Sequence, residues 1–224
     1  MDAWSYSSLS TFKQCPKKYY HLKIAKDVKD YGNEATRYGN KLHKAAELYI
    51  KSDTPLEKGF EFLKPTLESI KNIDGTKHCE LRLGISKSKA GTQYGATKFF
   101  ADDTWWRGIA DLIIVNGEKA YLIDYKSSKN ARYADTKQLD LLAAATFLHF
   151  PEVEVVKSAL AFVVSNEFVK KKHEAPLLKS YLAQFDPDLE RIEVAEETGV
   201  WNAVSGPLCA YCPVKTCPHW KERR

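Results

Sequence analysis

The stretch GIADLIIVNGEKAYLIDYKSS, from Gly108 to Ser128, sets Asp111, Asp124 and Lys126 among residues that otherwise spell two apolar strands around a turn. Asn116–Gly117 is a strong reversal signal between alternating apolar runs and predicts a β-hairpin. If the strands reverse about Gly117–Glu118, Asp111 lies directly opposite Asp124. If they reverse about Asn116–Gly117, the two are diagonal. Both registers keep the carboxylates on one face, because side chains alternate with a period of two. Lys126, two residues beyond Asp124, projects from the same face of an unbroken strand.

Like charges facing each other across a sheet cost roughly 0.2–1 kcal/mol, and more where water is scarce. An exposed strand end carrying an ordinary ion pair would account for the residues. So would a hard divalent cation, which takes oxygen ligands and commonly uses one or two carboxylates together with substrate phosphate. A lysine beside such an ion can orient a water and stabilise charge accumulating on a phosphate. The pattern therefore admits metal-assisted hydrolysis of a phosphodiester.

The rest of the chain sets bounds on that reading. Its 224 residues suit one sizeable core, so a single domain over residues 1–224 is expected. Composition is that of a folding globular chain, with 44% apolar and 28% charged residues. No apolar run of about 18 residues suggests a membrane span, and MDAWSYSSLSTFKQC lacks the features of a secretory leader. The expectation is a cytoplasmic protein, of a bacterium or a phage-infected host cell, without membrane association. A formal net charge of +5 permits a polyanionic partner without requiring one.

Helical spacing appears after Ser7, over Ala35–Ile50 and around Leu56–Ile70. From His78 the pattern turns to strands. CELRLGIS alternates Cys79, Leu81, Leu83 and Ile85 inward and sets Glu80 and Arg82 on the other face, and Cys79 reads as a core residue. Lys98–Phe100 and Trp105–Val115 read as strands around an Asp102–Asp103 turn, with the partner strand at Ala120–Lys126. TKQLDLLAAATFLHF reads as a buried helix, VKSALAFVVS as a strand, and the chain looks helical again after Pro176. The expected class is α+β, or mixed α/β, with a central sheet flanked by helices.

GxxD at Gly108–Asp111 and D-Y-K at Asp124–Lys126 resemble the PD-(D/E)XK nuclease superfamily, closest to its RecB-like branch. That resemblance implies a restriction-endonuclease-like sheet and a divalent-metal site for Mg²⁺ or Mn²⁺. It also implies a helix upstream with a GxxxH motif, which GNKLH from Gly39 to His43 matches, so His43 looks like a further ligand. Imidazole ligation favours Mn²⁺ over Mg²⁺. By the same similarity the Tyr125 backbone carbonyl is a metal ligand, and Glu80, on the strand before the hairpin, either approaches the site or faces solvent. Relatives often carry QxxxY on the next helix. Gln138 matches, with Leu142 in the tyrosine's place. The implied roles are metal binding for Asp111, Asp124 and His43, water activation for Lys126, and orientation of Lys126 or substrate by Gln138.

Five cysteines in a chain with no secretory signal point to metal or redox chemistry rather than a disulfide framework. Cys209, Cys212 and Cys217 form C-x2-C-x4-C, and distant Cys15 can supply a fourth thiolate. Four cysteines hold tetrahedral zinc or an iron–sulfur cluster, and His219 offers zinc a site without Cys15. The N-terminal CP-K-x-Y segment with a C-terminal cysteine triplet is similar to the iron–sulfur branch of these nucleases, including the AddB-type and CRISPR-associated Cas-four exonucleases. That likeness implies a [4Fe–4S] cluster stapling residues 1–25 to residues 205–220, with zinc as the alternative.

For DNA contact, Lys129 and Arg132 follow the lysine of the motif and could meet phosphates. Tyr6, Tyr19, Tyr20, Trp105 and Trp106 are candidates for stacking unpaired bases or for core packing, and alternation turns one of the two tryptophans outward. The resemblance implies a DNA exonuclease acting on single-stranded or end-accessible DNA in recombination, repair or degradation. The chain lacks a P-loop, so it would work alone or beside a helicase or recombination partner. The competing reading is a catalytically inactive iron–sulfur or zinc DNA-binding module. Oligomeric state is not legible.

Overall fold

The computed structural model describes residues 3–132 and 134–221. They fall into two compact units, one comprising Asn33–Ala183 and the other comprising the two ends, up to Gly32 and from Gln184. Among the described residues no helix is long and apolar enough to cross a membrane.

The larger unit is built on a six-stranded mixed sheet. Its strands are β1 (Thr76–Lys87), β2 (Tyr94–Thr97), β3 (Thr104–Asn116), β4 (Lys119–Lys126), β5 (Val155–Phe162) and β6 (Glu167–Glu174), in the spatial order β2-β1-β3-β4-β5-β6. Neighbours are antiparallel except β4 and β5, which run parallel. That parallel step requires a crossover, and the helix Lys137–His149 supplies it. The helices Glu34–Ser52, Lys64–Lys71 and Leu178–Ala183 complete the unit. In chain order, starting from the two short N-terminal helices Tyr6–Gln14 and Pro16–Tyr19, these are α3, α4, α5 (the crossover) and α6, with α1 and α2 before them.

Two observations explain where the core lies. Leu42, Ala46 and Ile50 on α3 and Leu67 and Ile70 on α4 pack with Leu112, Ile114, Ile123 and Tyr125 of the central strands. On α5 every residue from Leu139 to Phe147 is buried. Each Leu, Ile or Phe side chain among them contributes about 1.5–3 kcal/mol when removed from water. Helix α3 starts where it does because Asn33 accepts from the N–H of Thr36 and Thr36 reaches back to the Asn33 N–H.

The hairpin adopts the first of the two registers considered above, with Asn116 opposite Lys119 and Leu112 opposite Ile123 around the loop Gly117–Glu118. Gly117 takes φ 56°, a region that glycine enters without a Cβ penalty. Two expectations are corrected, and one strand has no counterpart in the sequence reading. The strand preceding the hairpin is Tyr94–Thr97, and residues 98–100 form a turn. The third helix is shorter than Leu56–Ile70: Pro65 can enter a helix only in its first turn, and α4 spans Lys64–Lys71 after a 3-10 turn at Glu61–Leu63. Strand β6, EFVKKKHE, is an edge strand with most residues exposed, and its charge hides its strand character.

The smaller unit gathers the two chain ends. Helix α1 is closed at its start by a Ser5–Ser8 capping box, and α7 (Asp186–Thr198) pairs with it through Lys13 and Asp188 at 2.8 Å. Trp4, Leu9, Phe12, Tyr19, Phe185, Leu189 and Ile192 are buried. Tyr19 stacks on Trp201 at 5.9 Å between ring centroids, and Tyr20 lies against the same indole. Tyr6 meets Phe185 edge-on. These rings are packing residues of this unit.

Candidate active site

The ladder between β3 and β4 ends at Leu112 and Ile123. One step further, where Asp111 faces Asp124, the strands part, and Asp111 takes over the missing ladder contact by accepting the Tyr125 N–H on Oδ2 at 2.7 Å. Its other oxygen, Oδ1, lies 3.1 Å from His43 Nδ1 on α3. The helix comes this close because Gly39 sits one turn before His43: a Cβ there would stand 3.3 Å from Ser127 Oγ, just past the end of β4.

Glu80 joins from β1. The pairs Cys79–Leu112 and Leu81–Ala110 flank it, and its own backbone lies in the left-handed region at φ 50°. A non-glycine residue there carries strain of order 1–3 kcal/mol. His43, Glu80 and Asp111 each place one ligand atom within 4.8 Å of the others. Glu80 is half-buried rather than solvent-facing. Burial, followed by the Asp111 charge, raises its pKa. For His43 burial acts downward, but the hydrogen bond to Asp111 and the nearby carboxylates outweigh it and raise the value.

Asp124 is not in that set of three. It is 3% exposed. Oδ1 accepts from Gln138 Nε2 at 2.8 Å, while Oδ2 stands 2.6 Å from Lys126 Nζ as an ion pair but has no hydrogen bond of acceptable geometry. Burial first, and the Asp111 charge second, push its carboxyl up to about 6. Gln138, in the first turn of α5, closes the circuit by accepting from Lys126 Nζ on Oε1 at 3.2 Å. Leu142, where a tyrosine would continue the QxxxY pattern, is buried and lies 3.6 Å from where a Cβ on Gly108 would stand. Tyr125 is buried with its ring edge-on to His43.

Two carboxylates and an imidazole converging on one fork, with the buried Asp124 carboxylate beside them, suit a hard divalent cation with mixed oxygen and nitrogen ligands. Lys129 and Arg132 are exposed on the following loop, and the structure does not draw them into this cluster. Trp106 is 1% exposed and Trp105 is half-buried, so the outward tryptophan is Trp105.

In the smaller unit Cys15, Cys209, Cys212 and Cys217 line one cavity of about 160 Å³ together with Gln14 and Lys18. The Val204 N–H points at Cys15 Sγ at 3.5 Å and the Gly206 N–H at Cys209 Sγ at 3.3 Å. All four thiols are free. Among the described residues no three cysteine sulfurs all stand within 4.8 Å of one another, and no metal cluster is shown. His219 is not among the residues lining the cavity. Cys79, half-buried, packs against the core beneath α3.

With fold and site in place, comparison with known proteins gives the class. The family model of the PD-(D/E)XK nuclease superfamily matches residues 3–218. The chain belongs to this superfamily and is thus a phosphodiesterase. Among curated proteins no significant match is found. A crystal structure from Eubacterium rectale, described as a "putative exonuclease", aligns over 100% of this chain and 90% of its own at 13% identity, with a TM-score of 0.53. That similarity shows the fold. A second, the crystal structure of SSO0001, covers 99% of this chain and 89% of its own at 15% identity and TM-score 0.43.

Proposed function

We propose that the protein is a metal-dependent DNA exonuclease that hydrolyses phosphodiester bonds in single-stranded or end-accessible DNA. The observation carrying this is the fork at Asp111, where His43, Glu80 and Asp111 converge beside the Asp124–Gln138–Lys126 circuit. The family supports DNA as substrate, and the description of the Eubacterium rectale structure as an exonuclease supports that mode of action. His43, Asp111, Glu80, Asp124 and the Tyr125 carbonyl would hold Mg²⁺ or Mn²⁺. A bound cation supplies Lewis-acid polarisation of the phosphate and lowers the pKa of water. Lys126 Nζ would donate hydrogen bonds that orient the attacking water and stabilise charge growing on the phosphate. Gln138 holds both Lys126 and Asp124, fixing the lysine's position without touching substrate.

The cysteine cavity is read as the seat of a [4Fe–4S] cluster stapling the two chain ends. Tetrahedral zinc with bonds of about 2.3 Å draws its sulfurs to within about 4 Å of one another. The wider spread of these sulfurs suits a polyatomic cluster better, and the backbone N–H groups aimed at Cys15 and Cys209 suit thiolates. Iron and sulfide content of anaerobically purified protein, against zinc content, decides it. The proposed setting is cytoplasmic DNA recombination, repair or degradation, phage pathways included, alone or beside a helicase.

The test is digestion of labelled linear and circular DNA, single- and double-stranded, with Mn²⁺, Mg²⁺ or EDTA. An exonuclease releases nucleotides from linear strands only. Cutting of closed circles makes the protein an endonuclease. Iron-loaded protein that binds DNA and cuts nothing makes it a binding module.

A further inference from the structure

Past the fork, β1 and β3 continue together as an arm of the sheet. Leu83 opposite Gly108 and Ile85 opposite Trp106 turn one face of this arm inward, and Leu83, Ile85 and Trp106 are buried. The other face carries the pairs Arg82–Ile109 and Gly84–Arg107. Arg82 and Ile109 are exposed. Arg82 follows Glu80 by two residues and Ile109 precedes Asp111 by two, so this face begins about 7 Å along each strand from the acidic cluster.

Gly84 determines what covers it. A Cβ at Gly84 would stand 2.8 Å from the Thr97 carbonyl oxygen and 2.9 Å from that of Lys98. Its absence lets the chain after β2 pass close over β1, and the turn that follows delivers Phe99 and Phe100 onto the two arginines. The Arg82 guanidinium lies 5.7 Å from the Phe99 ring centre, and that of Arg107 lies 5.7 Å from Phe99 and 5.6 Å from Phe100. The two phenylalanines meet edge to face at 4.8 Å. Phe100 is nevertheless 71% exposed. Among the described residues neither arginine is ion-paired with a carboxylate.

We infer that Phe100, Phe99, Arg82 and Arg107 form a binding platform for unpaired DNA, which seats the strand beside the Asp111 fork. This deepens the nuclease reading and rests on it for the choice of DNA. A guanidinium beside a ring and without a carboxylate partner keeps N–H groups available for phosphate oxygens. An exposed phenylalanine beside them offers a stacking surface to a base, which any unpaired base can use and a paired one cannot. Two unpaired cations next to an outward ring thus match the alternation of phosphate and base in a single strand, and discriminate against duplex.

The test is fluorescence anisotropy of labelled oligo(dT) and a labelled duplex with the full chain, in EDTA so that nothing is cut. Phe100→Ala is expected to weaken single-strand binding about tenfold, leave its salt dependence unchanged and spare the duplex, while Phe100→Trp restores it. Arg82→Gln and Arg107→Gln should each lower the slope of log K against log salt by about 0.7. Wild-type binding by Phe100→Ala and by the double arginine variant overturns the platform. Because binding is read without cleavage, the two claims separate. A wild type that never cuts but whose platform variants bind weakly sinks the enzyme alone, and a cutting wild type with unaffected platform variants sinks the platform alone.

Discussion

Without metal, Asp124 should work against the fold that holds it. Its carboxyl is lifted from an ordinary value of 3.8 to about 6 by burial and by Asp111, a difference equivalent to about 3 kcal/mol. A folded-state pKa raised in this way means a contribution fully present below pH 3.8 and lost as pH rises through about 6. By linkage the penalty is about 1.6 kcal/mol at pH 5 and about 3 kcal/mol above pH 7. Asp124→Asn removes the charge and keeps an oxygen able to accept from Gln138. The Lys126 ion pair acts downward on this carboxyl and is already contained in the value of about 6, so its loss adds no separate cost. Urea denaturation in EDTA should therefore show the variant up to about 3 kcal/mol more stable than wild type near pH 8, with the gap shrinking towards pH 5. Excess Mn²⁺ should reverse the order by stabilising the wild type far more. A variant less stable than wild type in EDTA near pH 8, or a gap indifferent to pH, refutes the reasoning.

Gly39→Ala should separate stability from activity: alanine is worth up to about 1 kcal/mol in a helix interior, yet its Cβ would press on Ser127 at 3.3 Å, so thermal stability should hold while cleavage falls about tenfold. Gly108→Ala would put a Cβ 2.6 Å from the buried Trp106 ring, and an equilibrium denaturation curve should show a loss of about 1–3 kcal/mol. Asp140→Ala would leave His173, 2.8 Å away and fully buried, and Lys171, 2.5 Å away, without their shared carboxylate. Its expected cost is about 3–5 kcal/mol, and a midpoint within error of wild type would show that this buried network holds nothing.

What could be read beforehand follows from physics that is local in sequence. The hairpin register was one of two readings open from alternation and turn chemistry, and both forced Asp111 and Asp124 together. The tryptophan pair obeyed the same alternation, with Trp106 inside. Strand β6 was illegible because an edge strand exposes most of its residues, and Lys170–Lys172 then looks like a solvated cluster rather than part of a ladder. The aromatic pair Phe99–Phe100 drew a strand reading that belongs to Tyr94–Thr97, since nothing local shows that Gly84 lets the chain fold over β1. At the site, the left-handed backbone of Glu80 and the Tyr125 N–H held by Asp111 depend on strands parting in space, which no spacing encodes. Arg82 and Arg107 share the parity of Glu80 and Asp111 on their strands, the one signal that could have revealed their face.

The most direct test of the site sets Mn²⁺ binding against cleavage of a linear single strand in wild type, Lys126→Ala and Asp111→Ala. Lys126→Ala should keep its Mn²⁺ and lose cleavage by a factor of about a hundred or more, while Asp111→Ala should lose both. Cleavage at the wild-type rate by Lys126→Ala, or undiminished Mn²⁺ binding by Asp111→Ala, would contradict the assignment of the fork as the metal-dependent catalytic centre.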